Sequence, residues 1–181
     1  SGCYRTGRFL ATEHAGIVPD IVTLSKAIGG GMPLGVTVAS DAIMTWPPGS
    51  HASTFGGNNV SCAAGIAVLG VMQEAGFGDH VTAMGAYLKE SLAALSEKHE
   101  LIGDVRGVGL MVGIELVRDR TTREPAQQER NAILNEAFQN GLTLLPAGES
   151  VIRFCPPLTI RKEDIDCGIR ILDQAFRRVT A

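Results

Sequence analysis

The sequence lacks a strong charge of either sign and any long apolar run, and each shortage excludes a class of protein. Its 181 residues carry 16 Lys and Arg against 19 Asp and Glu, a net charge of −3. That balance argues against a basic surface for nucleic acid. No apolar stretch reaches the roughly 18 residues that span a bilayer, and no secretory signal peptide opens the chain.

Paired cysteine motifs are also missing. The four cysteines form no Cys-x-x-Cys pair, and no histidine lies near them at zinc-ligand spacing. We therefore expect no metal site, and reduced, buried thiols in a cytoplasmic protein. Hydrophobic residues make up 45% of the chain, which supplies a core and excludes global disorder.

The first part of the chain resembles the end of a buried α/β sheet. Ile21–Leu24 and residues 34–39 are predicted strands, separated by the glycine-rich break 29–33. Residues 41–46 form a predicted short helix, 50–59 a polar loop, and 60–75 a helix that is apolar nearly all round and therefore buried.

The second part has the pattern of a compact α+β unit. Apolar residues at helical spacing begin after Asp79, and strands are predicted at 108–117, 142–145 and Val151–Phe154. Further helices are predicted at 126–140, closed by Gly141, and around 165–179. We place the domain boundary between residues 1–76 and 77–181, where glycines loosen the chain.

Lys26 is the first candidate for chemistry. It follows a predicted buried strand and precedes a triple glycine, and burial of its amine would favour the neutral, nucleophilic form that Schiff-base chemistry needs. An ordinary surface lysine at a strand end is the alternative. The lysine precedes the glycines, so a Walker A loop is excluded, and residues 107–113 do not fit a dinucleotide fingerprint.

Two further sites are suggested by residue type. Ser53 and Thr54, with Gly56 and Gly57, offer hydroxyls and open backbone for a phosphate, although a capping loop with Asn58 or Asn59 as N-cap explains the same residues. Arg106 is suited to clamp a carboxylate, with a salt bridge as the alternative.

The four histidines form no catalytic or metal motif that sequence can show. His80 and His99 are expected to be exposed helix residues, and His51 lies in the candidate phosphate loop.

Taken in order, these segments strongly resemble the class III aminotransferases, which use pyridoxal phosphate and have the aspartate-aminotransferase (type I) fold. The matching blocks are RTGR at 5–8, PDIVTLSKAIGGGMPLG at 19–35, HASTFGGN at 51–58, VRGVGLM at 105–111 and RFCPPL at 153–158. The resemblance covers essentially the whole chain. It implies a partial fold: the end of the large-domain sheet at 1–76 and the small α+β domain at 77–181.

The resemblance assigns roles residue by residue. Lys26 aligns with the lysine that forms the Schiff base with the cofactor and moves the substrate proton. Thr54, beside Ser53, aligns with the threonine that reaches the cofactor phosphate of a neighbouring subunit, which implies a homodimer with shared sites. Arg106 aligns with an arginine that binds a substrate carboxylate.

The resemblance also implies that part of the site lies outside these residues. In the family an Asp-Glu-Val-Gln segment precedes the position of Ser1, and the aspartate pairs with the cofactor ring. Tyr4 stands where the family often has glycine, and Asn59-Val60 replaces a common Asn-Pro. We therefore expect a C-terminal fragment.

The expected reaction moves an amino group from an ω-amino acid, 4-aminobutyrate or an ornithine derivative, to 2-oxoglutarate. Two alternatives remain open. The LLPAGES segment at 144–150 resembles members of the family that racemise amino acids. The chain is also consistent with a non-catalytic partner of a full-length subunit.

Overall fold

The computed structural model describes residues 1–180. The chain divides into two compact units. The first unit contains residues 1–4 and 8–78, and the second contains Arg5–Gly7 and the chain from Asp79 onward. The short segment Arg5–Gly7 therefore belongs to the second unit although its sequence neighbours belong to the first.

The first unit contains a two-stranded antiparallel ribbon. Strand β1 (Ile21–Leu24) pairs with β2 (Val36–Ala39) from Ile21↔Ala39 to Leu24↔Val36. Two short 3-10 helices cover Ala11–Ala15 and Lys26–Gly29. The strands were predicted as buried, but Ile21 is 54% and Val38 53% exposed, since nothing within the unit covers both faces of a two-stranded ribbon.

The helix predicted at 41–46 is wrong. The amides of Ile43 and Met44 both donate to Ser40 O, so the segment forms a turn and goes no further. Pro47 disfavours helical backbone at the residue before it, which leaves too few residues to nucleate a helix.

Helix α1 (Asn59–Met72) is present, but its environment differs from the prediction. Val60 and Ile66 are 64% and 72% exposed, and the buried positions are Ser61, Gly65 and Met72. The prediction of a helix is confirmed. The prediction that it is buried on all sides is wrong, because within its unit the helix is covered on one side only.

The second unit is a four-stranded antiparallel sheet with three helices. Sheet order is β3 (Ile102–Val108), β4 (Met111–Leu116), β6 (Val151–Phe154), β5 (Leu145–Ala147). The helices are α2 (Phe77–Ser96), α3 (Gln127–Gln139) and α4 (Lys162–Thr180). The core of this unit lies between one face of the sheet and the helices. Its fully buried side chains include Val112, Ile114 and Ile152 from the sheet, and Leu92, Ile133, Leu172 and Phe176 from the helices.

The strand predicted at 108–117 is in fact the second half of a hairpin. Gly109 has φ of 55° and forms the turn with Leu110, so β3 ends before it and β4 begins after it. Strand β3 went unrecognised because Gly103, Asp104 and Arg106 interrupt its apolar alternation. Strand β5 also lies later than predicted, at Leu145–Ala147.

Further expectations concerned metal ligands, cysteines and membrane spans, and the one for the cysteines is corrected. Among residues 1–180, no group of His, Cys, Asp and Glu could hold a metal ion. The four cysteines are free, but Cys155 and Cys167 are exposed rather than buried. Within the described residues no single helix has the length and apolarity to cross a membrane, and only the bent pair α1 and α2 taken together passes that test.

His99 is buried at 9% exposure, contrary to the expected exposed position. Its Nε2 lies 2.7 Å from Asp173 Oδ1, and its ring stacks on Phe176 at 4.8 Å. Arg177 also pairs with Asp173, at 2.9 Å. These contacts fasten α4 to the turn that follows α2. His80 is half-buried, with its Nε2 3.1 Å from Ile160 O.

This cluster predicts an acid-sensitive contribution to stability. The His99 hydrogen bond, with a further contribution from Arg177, holds the pKa of Asp173 below its ordinary value of 3.8. The stabilisation should therefore be complete above about pH 3.8 and be lost as the pH falls through the lower, folded-state pKa. Urea unfolding midpoints measured from pH 6 downward should converge for the protein and its Asp173→Asn variant; a constant gap down to pH 2 would contradict this.

Candidate active site

Lys26 is separated from β1 by the N-cap residue Ser25, and it lies at the first position of the 3-10 helix Lys26–Gly29. Its φ is 56°, in the left-handed region that side chains other than glycine rarely adopt. This conformation costs of the order of 1–2 kcal/mol. Strained residues of this kind concentrate at functional sites. The side chain is exposed within this chain, which agrees with the alternative of a surface lysine at a strand end and not with a buried amine.

The turn that carries Lys26 is seated closely against helix α1. A Cβ at Gly30 would lie 2.6 Å from Val68 Cγ2, and a Cβ at Gly65 would lie 2.6 Å from Leu34 Cδ2. Ile28 is 3% exposed within this contact. Gly30 and Gly65 thus allow close packing of the turn on helix α1, whereas a Cβ at Gly31 would meet nothing within 4 Å.

The loop that contains Ser53 and Thr54 leads into the N-terminus of the same helix. Both residues are exposed. Asn58 Oδ1 accepts hydrogen bonds from the amides of Val60 and Ser61, both at 3.1 Å. Asn58 is therefore the N-cap, as one of the two interpretations of this loop required, and it occupies amides that an anion would otherwise use. The hydroxyls of Ser53 and Thr54 remain the available donors.

Arg106 lies on β3 in the second unit, with about half of its side chain exposed. Its Nη1 is 2.7 Å from Asp104 Oδ2 and 2.5 Å from Glu115 Oε2. These hydrogen bonds, first to Asp104 and then to Glu115, raise the pKa of Arg106. The salt-bridge alternative is the one observed. Both carboxylates bind Nη1, which leaves Nε and Nη2 as donors, but a substrate carboxylate there would meet an arginine whose charge two neighbouring carboxylates already offset.

A second arginine, Arg153, lies on β6, in the RFCPPL motif. Its Nε is buried, and the structure gives that atom no hydrogen-bond partner within residues 1–180. An unsatisfied buried donor of this kind is costly, and it marks a place for an acceptor. Isolated sequence carries no signal for this, since it depends on packing.

Strand register places both arginines in one row across the sheet. Arg106 pairs with Gly113, and Gly113 pairs in turn with Arg153. Paired residues share a face, so two guanidinium groups flank a position without a side chain. Strands lie about 4.8 Å apart, which puts the two Cα atoms about 10 Å apart. Asp104 and Glu115 lie on the same face and bind Arg106, and a Cβ at Gly113 would lie 3.1 Å from Val151 Cγ1. Within the described residues, Arg153 is therefore the arginine of this row that no carboxylate binds.

A cavity of about 400 Å³ lies beside Arg153, wholly within the second unit. Its walls are mainly apolar, with Arg153 and Asp164 as the charged residues. A volume of this size is typical of small-molecule sites. The further lining includes Leu88, Leu142, Leu144, Phe154, Ile165 and Ile169.

Comparison with known proteins identifies the family. The sequence profile of "Aminotransferase class-III" matches residues 1–176. The chain therefore belongs to the class III aminotransferase family, as its motif order indicated.

Individual relatives agree with this. Acetylornithine aminotransferase of Caldanaerobacter subterraneus subsp. tengcongensis is 41% identical over 179 residues, covering 99% of this chain and 43% of that protein. Leucine/methionine racemase of Thermococcus litoralis is 41% identical over 180 residues, covering 99% and 41%. The chain thus spans less than half the length of these curated relatives.

A solved structure gives the same result for the fold. The amine transaminase of an uncultivated Pseudomonas species, in its pyridoxal-phosphate-bound form, superposes with a TM-score of 0.89 at 32% identity, covering 98% of this chain and 43% of that one. The predicted partial pyridoxal-phosphate-dependent transferase fold is confirmed. Family and neighbour together indicate pyridoxal phosphate as the cofactor.

The residues present suit that cofactor in chemical type. An aldehyde needs a primary amine, and Lys26 offers an exposed one at the start of a 3-10 helix. A phosphate needs hydroxyl or amide donors, and the Ser53–Thr54 loop offers two exposed hydroxyl side chains. No feature of these two segments opposes the assignment.

Proposed function

We propose that the protein carrying this chain is a pyridoxal-phosphate-dependent aminotransferase that acts through Lys26. The amino group of an ω-amino acid, of the 4-aminobutyrate or ornithine type, passes to 2-oxoglutarate. The donor leaves as the corresponding aldehyde and the acceptor as glutamate. The observation that carries the proposal is an exposed lysine, held in a left-handed conformation after β1, within a sequence that the family model matches over residues 1–176.

Within this proposal each segment has a task. The bound cofactor supplies an electron sink. Lys26 holds it and carries a proton to and from the substrate carbon. Ser53 and Thr54 bind phosphate by hydroxyl donation, and because Thr54 is exposed we propose that it serves the neighbouring subunit of a homodimer.

We also propose that residues 1–76 are part of the large cofactor domain and 77–181 the small domain, in a cytoplasmic enzyme. None of the four cysteines forms a disulfide within the described residues, which supports this proposal.

The test is a donor screen on the purified native protein. Glutamate should form from 2-oxoglutarate only when an amino donor is present, and aldehyde should appear in equal amount. We expect ω-amino donors to outperform α-amino acids such as leucine. If no amino donor supported glutamate formation, the proposal would be overturned.

A racemase is the second candidate, because a leucine/methionine racemase is as similar to this chain as the aminotransferase relative is. Incubation of an enantiopure amino acid without any oxo acid separates the two. Loss of optical activity would support racemisation, whereas a strict requirement for 2-oxoglutarate would support transfer.

For the substrate carboxylate we propose Arg153 over Arg106. Arg153 has a buried Nε without a partner, whereas Arg106 already binds two carboxylates. Arg153→Gln should raise KM for 2-oxoglutarate by about tenfold or more, because a charge-assisted hydrogen bond is worth about 1.5–3 kcal/mol. Arg106→Gln should change it little, since exposed pairs contribute about 0–1 kcal/mol. The reverse order of effects would restore Arg106 as the clamp.

A further inference from the structure

The β4–β6 ladder stops at an unusual place. The two strands pair from Glu115↔Val151 to Val112↔Phe154. Continued in the same register, Leu110 would face Pro156. Proline has no N–H and cannot donate to a ladder, so backbone pairing cannot proceed normally there. The carbonyl groups of Leu110 and Pro156 are left at the end of the sheet.

A side chain from a distant part of the sequence takes up both carbonyl groups. Arg5 Nη1 donates to Pro156 O at 2.5 Å and to Leu110 O at 3.1 Å. In return, the amide of Leu110 donates to Arg5 O at 3.0 Å. Leu110 is fully buried. Arg5 thus continues by its side chain the pairing that Pro156 interrupts.

The segment Arg5–Gly7 is held by close contacts, one of them between its backbone and that of Gly109. A Cβ at Gly109 would lie 2.5 Å from the Thr6 carbonyl carbon and 2.9 Å from Arg5 O. A Cβ at Gly7 would lie 2.3 Å from Thr82 Oγ1. Contacts this close fix the position of Arg5–Gly7 in the second unit and exclude a loosely held loop.

The residues before Arg5 have strained backbone, and the Arg5 side chain is partly buried. Cys3 and Tyr4 both have left-handed backbone, with φ of 55° and 64°. Burial lowers the pKa of the Arg5 guanidinium, and the Cys155 thiol partly opposes this shift. Two strained residues and a partly desolvated charge each cost free energy, and together they place the Arg5 guanidinium at the end of β6.

That end of β6 carries Arg153. We infer that Arg5 is a positioning residue: by binding the carbonyls of Leu110 and Pro156 it holds the strand end that presents Arg153 to a substrate carboxylate. The inference rests on the proposed function, in which Arg153 binds that carboxylate. Without Arg5 the Cys155–Pro156 segment is released and the ladder frays toward Arg153. A displacement near 1 Å at such a group can cost up to about a hundredfold.

The test is a double-mutant cycle on the native protein with succinate as a dicarboxylate probe. Succinate affinity is measured by calorimetry, so the readout does not depend on turnover. Arg5→Gln should weaken binding by about tenfold, and Arg5→Lys should restore part of the loss. In an Arg153→Gln background, Arg5→Gln should add nothing. Arg8→Gln, an exposed arginine in the same loop, is the matched control and should leave affinity unchanged.

The outcomes separate the two claims. If Arg153→Gln leaves succinate affinity unchanged, the carboxylate role of Arg153 fails. If Arg153→Gln weakens binding but Arg5→Gln does not, the positioning role of Arg5 fails alone. Equal losses from Arg5→Gln in both backgrounds would make Arg5 a merely structural residue. Should Arg5→Gln fail to fold, the cycle is run with Arg5→Lys, and an affinity identical to that of the unmodified protein would count against the inference.

Discussion

Replacing Lys26 with Ala in the native protein should abolish amino transfer, with a fall in kcat of at least about a thousandfold. The proposal gives this amine two tasks, to hold the cofactor and to carry the substrate proton, and no other residue in the Lys26–Gly29 turn has an amine to replace it. Turnover is measured as glutamate formed from 2-oxoglutarate. Retained transfer would remove Lys26 from the mechanism.

The backbone of Lys26 allows a sharper version of the experiment. Lys26→Gly removes the same amine but also relieves the left-handed strain at φ of 56°. Both variants should be inactive, yet Lys26→Gly should be more stable than Lys26→Ala by about 1 kcal/mol. Urea unfolding measures that difference. Equal stabilities would show that the strain is not present in solution.

A matched lysine controls for the loss of a positive charge. Lys98 is exposed and lies in the second unit. Lys98→Ala should keep full turnover. Loss of activity in both lysine variants would point to a general effect of charge rather than to chemistry at Lys26.

Sequence reasoning succeeded where the signal is local. Helix α2 was recognised from the helical spacing of five apolar residues. All but the partly exposed Met84 are buried: Val81, Leu88, Leu92 and Leu95. Helix α3 ends at Gln139 with Gly141 at φ of 88°, as the closing glycine indicated. The Lys26 turn was found from its triple glycine. In each case one short stretch contains both the signal and the structure that it specifies.

It failed where distant segments determine the environment. The two carboxylates at Arg106 come together through the pairing of Asp104 with Glu115, and the hairpin between them was not recognised. The isolated Nε of Arg153 is a result of packing on both sides of β6. Exposure of α1 was missed for the same reason, since composition reports how apolar a helix is and not what covers it.

The close contact between α2 and the β3–β4 turn gives the largest expected effect on stability. A Cβ at Gly85 would lie 2.3 Å from both the carbonyl carbon and the oxygen of Gly109. Gly109 cannot shift away from Gly85, because it is also packed against the backbone of Thr6. Three backbones are stacked here, and none offers a flexible side chain that could yield.

Gly85→Ala should therefore lower the free energy of unfolding by about 1–3 kcal/mol, the usual cost of overpacking, although alanine is the better helix former. Gly168→Ala in α4 is the matched control. Its Cβ would meet only Leu142 Cδ1, at an ordinary 3.7 Å, so the substitution should raise stability by up to about 1 kcal/mol. Urea unfolding of both variants measures the contrast. If Gly85→Ala stabilises the protein as Gly168→Ala does, α2 and the Gly109 turn are not in contact. The position inferred for Arg5, whose segment packs on Gly109, would then lose its main support.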